Sequence, residues 1–152
     1  MKLDVVIPAF RDERVLEAIG SIYKCDLDGI DVRVIAQIGG SGSDFKNLIV
    51  KNFSTVEIGV ESDSGIFDGI NIGLKKCTGD LILTIGSDDR VCNPMCFQLI
   101  KKKWESGYKC ISTDMQYTDG NWKPIRYWPA RKINMINYLM GYQHAHFAMF
   151  LA

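Results

Sequence analysis

Asp88 and Asp89 stand side by side where the apolar run Leu81-Ile82-Leu83-Thr84-Ile85 gives way to Gly86-Ser87 and then to charged residues. A carboxylate pair at such a place can hold a hard divalent cation. Mg²⁺ and Mn²⁺ keep several waters and bind through one or two carboxylates together with the phosphates of a substrate, so the pair points to metal-assisted phosphate-ester chemistry. From spacing alone, the same two acids serve equally well as the cap of a helix that begins near Pro94. His144 and His146 lie two apart and would share a face on a strand, but no carboxylate is spaced to join them. The five cysteines, Cys25, Cys77, Cys92, Cys96 and Cys110, are odd in number and lack paired C-x-x-C spacing, so they read as reduced packing residues rather than as a zinc site or a disulfide framework.

The elements that must position Asp88 and Asp89 follow from the patterning. Leu81 to Ile85, bounded by Gly79-Asp80 and Gly86-Ser87, reads as a central strand of the parallel type. Upstream, Ile66, Ile70, Leu74 and Cys77 recur at roughly helical spacing, and Thr78-Gly79 supplies the stop. The same alternation runs along the chain. Residues 3–7 predict a strand ending at Pro8, and Val15, Leu16, Ile19 and Ile22 predict a helix. A strand over 32–38 is closed by the glycine-rich loop 39–43, a helix covers 44–52, and a third strand runs over 55–60. A helix around 97–104 and a strand over 109–116 complete the series. Strands alternating with helices imply an α/β sheet, mostly parallel, with helices on both faces. Ligands of such sheets collect at the carboxyl ends of the strands, which is where Asp88 and Asp89 would lie. Beyond residue 116 the pattern changes to a hairpin signal at Asp119-Gly120, an aromatic segment over 122–128 and an apolar helix around 133–140.

With 152 residues, 47% of them hydrophobic, the chain can bury one core and not two. Its 18 basic and 18 acidic residues cancel, which argues against nucleic acid as a partner. The opening MKLDVVIPAF is too short an apolar run for a signal peptide, and no eighteen apolar residues run together, so the expectation is a cytoplasmic chain without a transmembrane segment.

Four segments in order carry a resemblance to a known family: VVIPAFRDE at the start, GGSGSD over 39–44, DSGIFDGINIGLKKCTGD over 63–80, and GSDD over 86–89. Over nearly its whole length the chain resembles the family 2 glycosyltransferases of the bacterial polysaccharide-biosynthesis type. The resemblance implies the Rossmann-like GT-A fold in a single domain, with a donor-binding core over 1–116. A small hairpin and helix extension over 117–152 would begin the acceptor-side region. It also implies transfer of a hexosyl group, with inversion, from a nucleotide-diphosphate donor, UDP-sugar foremost, to a glycan or lipid-linked acceptor in surface polysaccharide synthesis. A peripheral position at the inner membrane face goes with that role.

By the same resemblance Pro8, Phe10 and Glu13 belong to the loop that receives the nucleobase. Asp63, Gly65, Asp68 and Ser87 line the nucleotide sugar, with Asn71 on the helix that follows. Asp88 and Asp89 are the implied ligands of Mn²⁺ or Mg²⁺. Ile38 stands where the family usually has an acid that contacts the uracil, and Gly86 where many members have the first acid of the metal motif. Asp114, closing CISTD, resembles a position on the acceptor side and is the candidate catalytic carboxylate. The family's usual base follows the segment that here reads YQHAHFAMFLA and ends the chain at Ala152, so a C-terminally truncated member is expected. The alternative is a catalytically silent nucleotide-sugar-binding domain.

Overall fold

The strand that carries the most of the fold is the first, because every residue of it but Lys2 is buried. A strand covered on both faces must be apolar throughout rather than alternating, and Leu3, Val5, Val6 and Ile7 are all fully inaccessible. The structure, a computed structural model, describes residues 1–40 and 43–152. Its strands are β1 (Lys2–Ala9), β2 (Asp31–Gly39), β3 (Glu57–Glu61), β4 (Leu81–Thr84), β5 (Cys110–Ser112), β6 (Met115–Thr118), β7 (Pro124–Trp128) and β8 (Met149–Leu151). The helices are α1 (Val15–Tyr23), α2 (Ser43–Asn52), α3 (Ile66–Leu74), α4 (Cys96–Glu105) and α5 (Met135–Leu139), with a 3-10 turn over His146–Ala148.

Six strands form one sheet in the order β3-β2-β1-β4-β8-β5. β1 pairs in parallel with β2 and β4, and β2 with β3, while β8 runs antiparallel between β4 and β5. The expected Rossmann-like sheet is therefore present, with one reversed strand inside it. β1 continues through Pro8 to Ala9 rather than stopping at Pro8. Its pairing with β4 ends at Val6, so Pro8 lies where β1 has a partner on one side only and its missing N–H leaves no gap in the ladder.

The odd residues of β1 join the main core with Val34, Ala36 and Ile38 of β2, Leu81 and Leu83 of β4, and Val15, Ile19 and Ile22 of α1. Phe97 and Ile100 of α4 close it, and Phe97 meets Phe150 edge-on with ring centroids 6.2 Å apart. The opposite face carries α3, whose Gly73 comes up against Val6. At the lower end of the sheet Asp4, 3% exposed, accepts Arg33 Nε at 3.0 Å and Nη2 at 2.8 Å, and the amides of Thr78 at 2.6 Å and Gly79 at 2.8 Å. One carboxylate thus ties β1, β2 and the turn that feeds β4, which fixes the register of the strands that place Asp88.

The C-terminal third departs most from the sequence pattern. The strand expected over 109–116 breaks at Thr113-Asp114 into β5 and β6, because Thr113 still bonds Ala148 whereas Asp114 turns to Ala130 and Tyr127. β6 and β7 form the expected hairpin, nucleated by Asp119, which accepts the amides of Asn121 and Lys123 through Oδ1 at 2.9 Å each. The helix expected over 133–140 is the short α5, N-capped by Asn134. At the end of the chain Phe150 is buried in the core, whereas Leu151 is about half exposed. The cysteines are unpaired; Cys25 is buried, and Cys92 alone is exposed. Burial pushes the Cys77 and Cys96 thiols up to about 11, which suits packing rather than nucleophilic residues. Among the described residues no helix is long and apolar enough to cross a membrane.

Candidate functional site

Between β1 and β4 the strand order reverses: the chain leaves β1 for β2 and β3 on one side and returns to β4 on the other. The loops that follow these two strands meet at their carboxyl ends, the end at which α/β sheets take their ligands. Asp12 and Arg14 come from the first loop, and Ser87, Asp88 and Asp89 from the second. Arg14 grips Asp12 through Nε at 3.0 Å and Nη2 at 2.8 Å, and its Nη1 lies 3.7 Å from Asp88 Oδ2. Ser87 Oγ completes the bridge with Asp12 Oδ2 at 3.4 Å. The Arg14 hydrogen bonds hold the Asp12 carboxyl below the usual carboxylate range. Val91 N donates to Ser21 Oγ at 2.9 Å, which pins the second loop to α1.

The helix-cap reading of Asp88 and Asp89 does not hold. α4 begins at Cys96, and the first amides are met by Asn93, whose Oδ1 accepts from Met95 N at 2.9 Å. Asp89 instead turns back and accepts Gly86 N through Oδ2 at 3.0 Å. Burial pushes the Asp89 carboxyl up; the Asp88 charge adds to that, while the Gly86 amide and nearby His146 oppose it. Both carboxylates converge on Gly86: a Cβ there would stand 2.7 Å from Asp89 Oδ2 and 2.9 Å from Asp88 Oδ1. Two like charges drawn to one point favour a cation between or beside them. Among the described residues no cluster of three or more His, Cys, Asp or Glu side chains completes an all-protein cage. The donor set fits a hard divalent ion that draws its remaining ligands from water and substrate phosphate. Gly86→Ala is expected to push both carboxylates outward, weaken Mn²⁺ binding by roughly tenfold and cost about 1–2 kcal/mol of stability. Parallel Mn²⁺ titration and thermal melting check it, and unchanged Mn²⁺ affinity would contradict it.

The neighbouring loops build the rest of the rim. Phe10 is 66% exposed after β1, and its ring lies against Gly40 after β2. The Asp63 carboxylate packs on Gly39 and accepts Gly65 N at 3.1 Å, while Asp68 accepts Ser64 N at 2.9 Å and its hydroxyl at 3.1 Å. Asp63 and Asp68 thereby shape the start of α3, where an acid also favours the helix dipole. Gly65 holds φ at 137°, a conformation that side-chain-bearing residues rarely adopt. Glu13 and Asn71 are exposed. Of the glycine-serine turn, Ser41 and Gly42 lie outside the described residues.

Two nucleobase candidates are corrected. Ile38 is 1% exposed and belongs to the core, and Pro8 is buried inside β1, so neither side chain is open to a ligand. Both lie on strands covered on both faces, β1 being buried from Leu3 to Ala9 and β2 from Val34 to Gly39, so either side of the strand is closed to solvent. Asp114 lies at the carboxyl end of β5 with both oxygens engaged, by Tyr127 Oη and by Ala130 N at 2.8 Å. The Tyr127 hydrogen bond, then that of Ala130, holds its carboxyl below the usual range, which makes it a poor proton acceptor. His144 and His146 do not share a strand: His146 opens the 3-10 turn and reaches the Asp89 and Phe67 side of the site, whereas His144 Nδ1 faces Ser112 Oγ at 3.4 Å. Sequence reasoning missed Asp12 and Arg14 as a bridge. The signal was the charged cluster RDER directly after a central strand.

Comparison with known proteins agrees with the fold. The sequence profile described as Glycosyl transferase family 2 matches residues 4–152. No curated protein matches the chain. Among solved structures, S. aureus TarS 1-349 superposes with a TM-score of 0.64 at 20% identity, covering 79% of this chain and 37% of that one. It has also been solved with UDP-GlcNAc. The mannosyltransferase PcManGT from Pyrobaculum calidifontis, in complex with GDP-Man and Mn²⁺, gives 0.57 at 14% identity over 76% of this chain and 35% of its own. Glucosyl-3-phosphoglycerate synthase from Mycobacterium tuberculosis, with Mn²⁺, UDP and phosphoglyceric acid, gives 0.56 at 18% identity over 78% and 44%. The chain thus spans less than half the length of these structures.

Proposed function

The chain belongs to glycosyl transferase family 2, and from that premise we propose that it binds a nucleotide-diphosphate sugar, UDP-linked foremost, with a divalent metal at Asp88 and Asp89, and passes the sugar to an acceptor hydroxyl. The observation that carries the reading is the convergence of these two carboxylates on Gly86, just past β4 and beside the point where the strand order reverses. A divalent ion there supplies charge stabilisation for a diphosphate leaving group. Arg14, already bridging the two loops, is placed to accompany the diphosphate, and the exposed Phe10 ring beside Gly40 offers a face for the base. The structures of similar fold were solved with UDP, UDP-GlcNAc or GDP-Man, and two of them with Mn²⁺, which supports a nucleotide sugar and a divalent ion here. Inversion and a role in surface polysaccharide synthesis belong to the same reading.

A second reading keeps the donor site without transfer chemistry: a silent nucleotide-sugar-binding domain. The observation in its favour is Asp114, the sequence candidate for the base, with both oxygens occupied. Thermal melting in Mn²⁺ with UDP, GDP and UMP tests the donor site, with stabilisation expected from a diphosphate and little from UMP. Equal stabilisation by UMP would remove the metal-diphosphate contact. Release of UDP from a UDP-sugar in the presence of acceptor separates the transferase from the silent domain.

A further inference from the structure

Residues 120–152 contain four basic residues, Lys123, Arg126, Arg131 and Lys132, and no acid, leaving 14 basic against 18 acidic residues in the rest of the neutral chain. Within this segment a cleft of about 350 Å³ opens between the end of β7 and residues 141–143. Arg126 and Arg131 line it together with Tyr127, Trp128 and Tyr142. The Arg126 guanidinium stacks 4.7 Å from the Trp128 ring and that of Arg131 4.8 Å from the Tyr142 ring. Trp128 Nε1 donates to Gln143 O at 3.2 Å and Tyr142 Oη to Pro129 O, so the two aromatic supports are themselves tied across the cleft. Among the described residues neither arginine forms an ion pair, in contrast to Arg14, Arg33 and Arg90.

Two guanidiniums held over aromatic rings face one cavity that no carboxylate lines among the described residues, the nearby Asp114 being engaged by Tyr127 Oη and Ala130 N, so their forked donors are left for a ligand. Such forks match the oxygens of phosphate in charge and spacing, and aromatic faces beside them suit the apolar faces of a sugar or polyol. We infer that this cleft binds a phosphate ester, the anionic group of the acceptor, and that the acceptor is therefore a phosphorylated sugar or polyol rather than a neutral glycan. The assignment rests on the transferase reading for the word acceptor, but the anion site stands on its own residues. Ile136, Leu139 and Met140, exposed on and just after α5 in the segment that leads to Gly141 of the cleft, offer an apolar surface for a lipid carrying that phosphate.

Glycerol 3-phosphate, and separately phosphatidylcholine vesicles with and without phosphatidylglycerol, are titrated onto the 152-residue chain without metal, with the Trp128 indole N–H followed by NMR. Binding of glycerol 3-phosphate, weakened roughly tenfold in Arg126→Gln and again in Arg131→Gln and falling with added salt, supports a soluble phosphate acceptor. Binding only to the anionic vesicles, lost in the same variants and in Leu139→Ser, supports a lipid-borne one. Arg126→Lys keeps the charge without the fork and is expected to fall between wild type and Gln. Absence of binding to either probe, or binding that the arginine variants do not weaken, overturns the inference. Asp88→Ala is expected to leave this binding intact and the arginine variants to leave UDP binding intact, so the donor site and the anion site fail separately.

Discussion

Replacing Asp88 by alanine removes Mn²⁺-dependent UDP binding, with an affinity loss on the order of a hundredfold or more, while the melting temperature hardly moves. Asp88 is the exposed member of the pair, with 56% of its side chain accessible, and among the described residues its ion pair is the long contact with Arg14. Little packing is lost with it. What goes is one of the two carboxylates that converge on the Gly86 turn, and an ion with one carboxylate left binds much more weakly. Burial, the main cause of the raised Asp89 carboxyl, would remain, while the smaller contribution of the Asp88 charge would go. Titration with UDP and Mn²⁺ checks the binding, and a melting curve checks the fold. An unchanged affinity would remove Asp88 from the site.

Asp4→Ala has the opposite signature, unfolding without a local effect on chemistry. It strips a buried carboxylate from Arg33 and from the Thr78 and Gly79 amides at once. Removing one partner of a buried ion pair strands the other, and the expected cost is about 3 kcal/mol or more, moderated because Arg33 is partly open to solvent. The pH dependence follows from the same contacts. Burial raises the Asp4 carboxyl, but the Arg33 hydrogen bonds and the two amides outweigh it, so the folded value lies below the ordinary one. A depressed carboxyl stabilises the fold above its unfolded value of about 3.9, and that contribution is lost as pH falls through the folded value. Urea unfolding at neutral and acid pH should show the wild type losing stability on acidification below that point, and Asp4→Asn losing less. Equal stability of wild type and Asp4→Ala at neutral pH would contradict the clamp.

The parallel half of the fold was legible because its signals are local and redundant. The run at 81–85, the helical spacing of Ile66, Ile70 and Leu74, and the turn residues between them all agree, and the four parallel strands follow from such agreement. The acids at 88 and 89 were legible by their place at a strand end. Whether they cap α4 was not, since Asn93 is an equally good cap by type and only the backbone shows which residue the first amides reach. β8 was illegible for a different reason: three residues, Met149 to Leu151, carry no periodicity, and their place between β4 and β5 is set by long-range pairing. Ile38 and Pro8 were misread because motif matching takes no account of burial, and the strands that carry them are covered on both faces at these positions. The Arg14 bridge joins residues from loops some seventy positions apart, a juxtaposition that the order of strands creates and no local pattern records.

Calorimetric titration of the 152-residue chain with UDP, with and without Mn²⁺, tests the central claim most directly. Binding that requires Mn²⁺ is the predicted result, because two carboxylates at one turn repel a diphosphate until a cation lies between them. Binding of equal strength without the metal would mean that Arg14 and the loop amides alone hold the diphosphate, and no binding of UDP under either condition would contradict a donor site at Asp88 and Asp89.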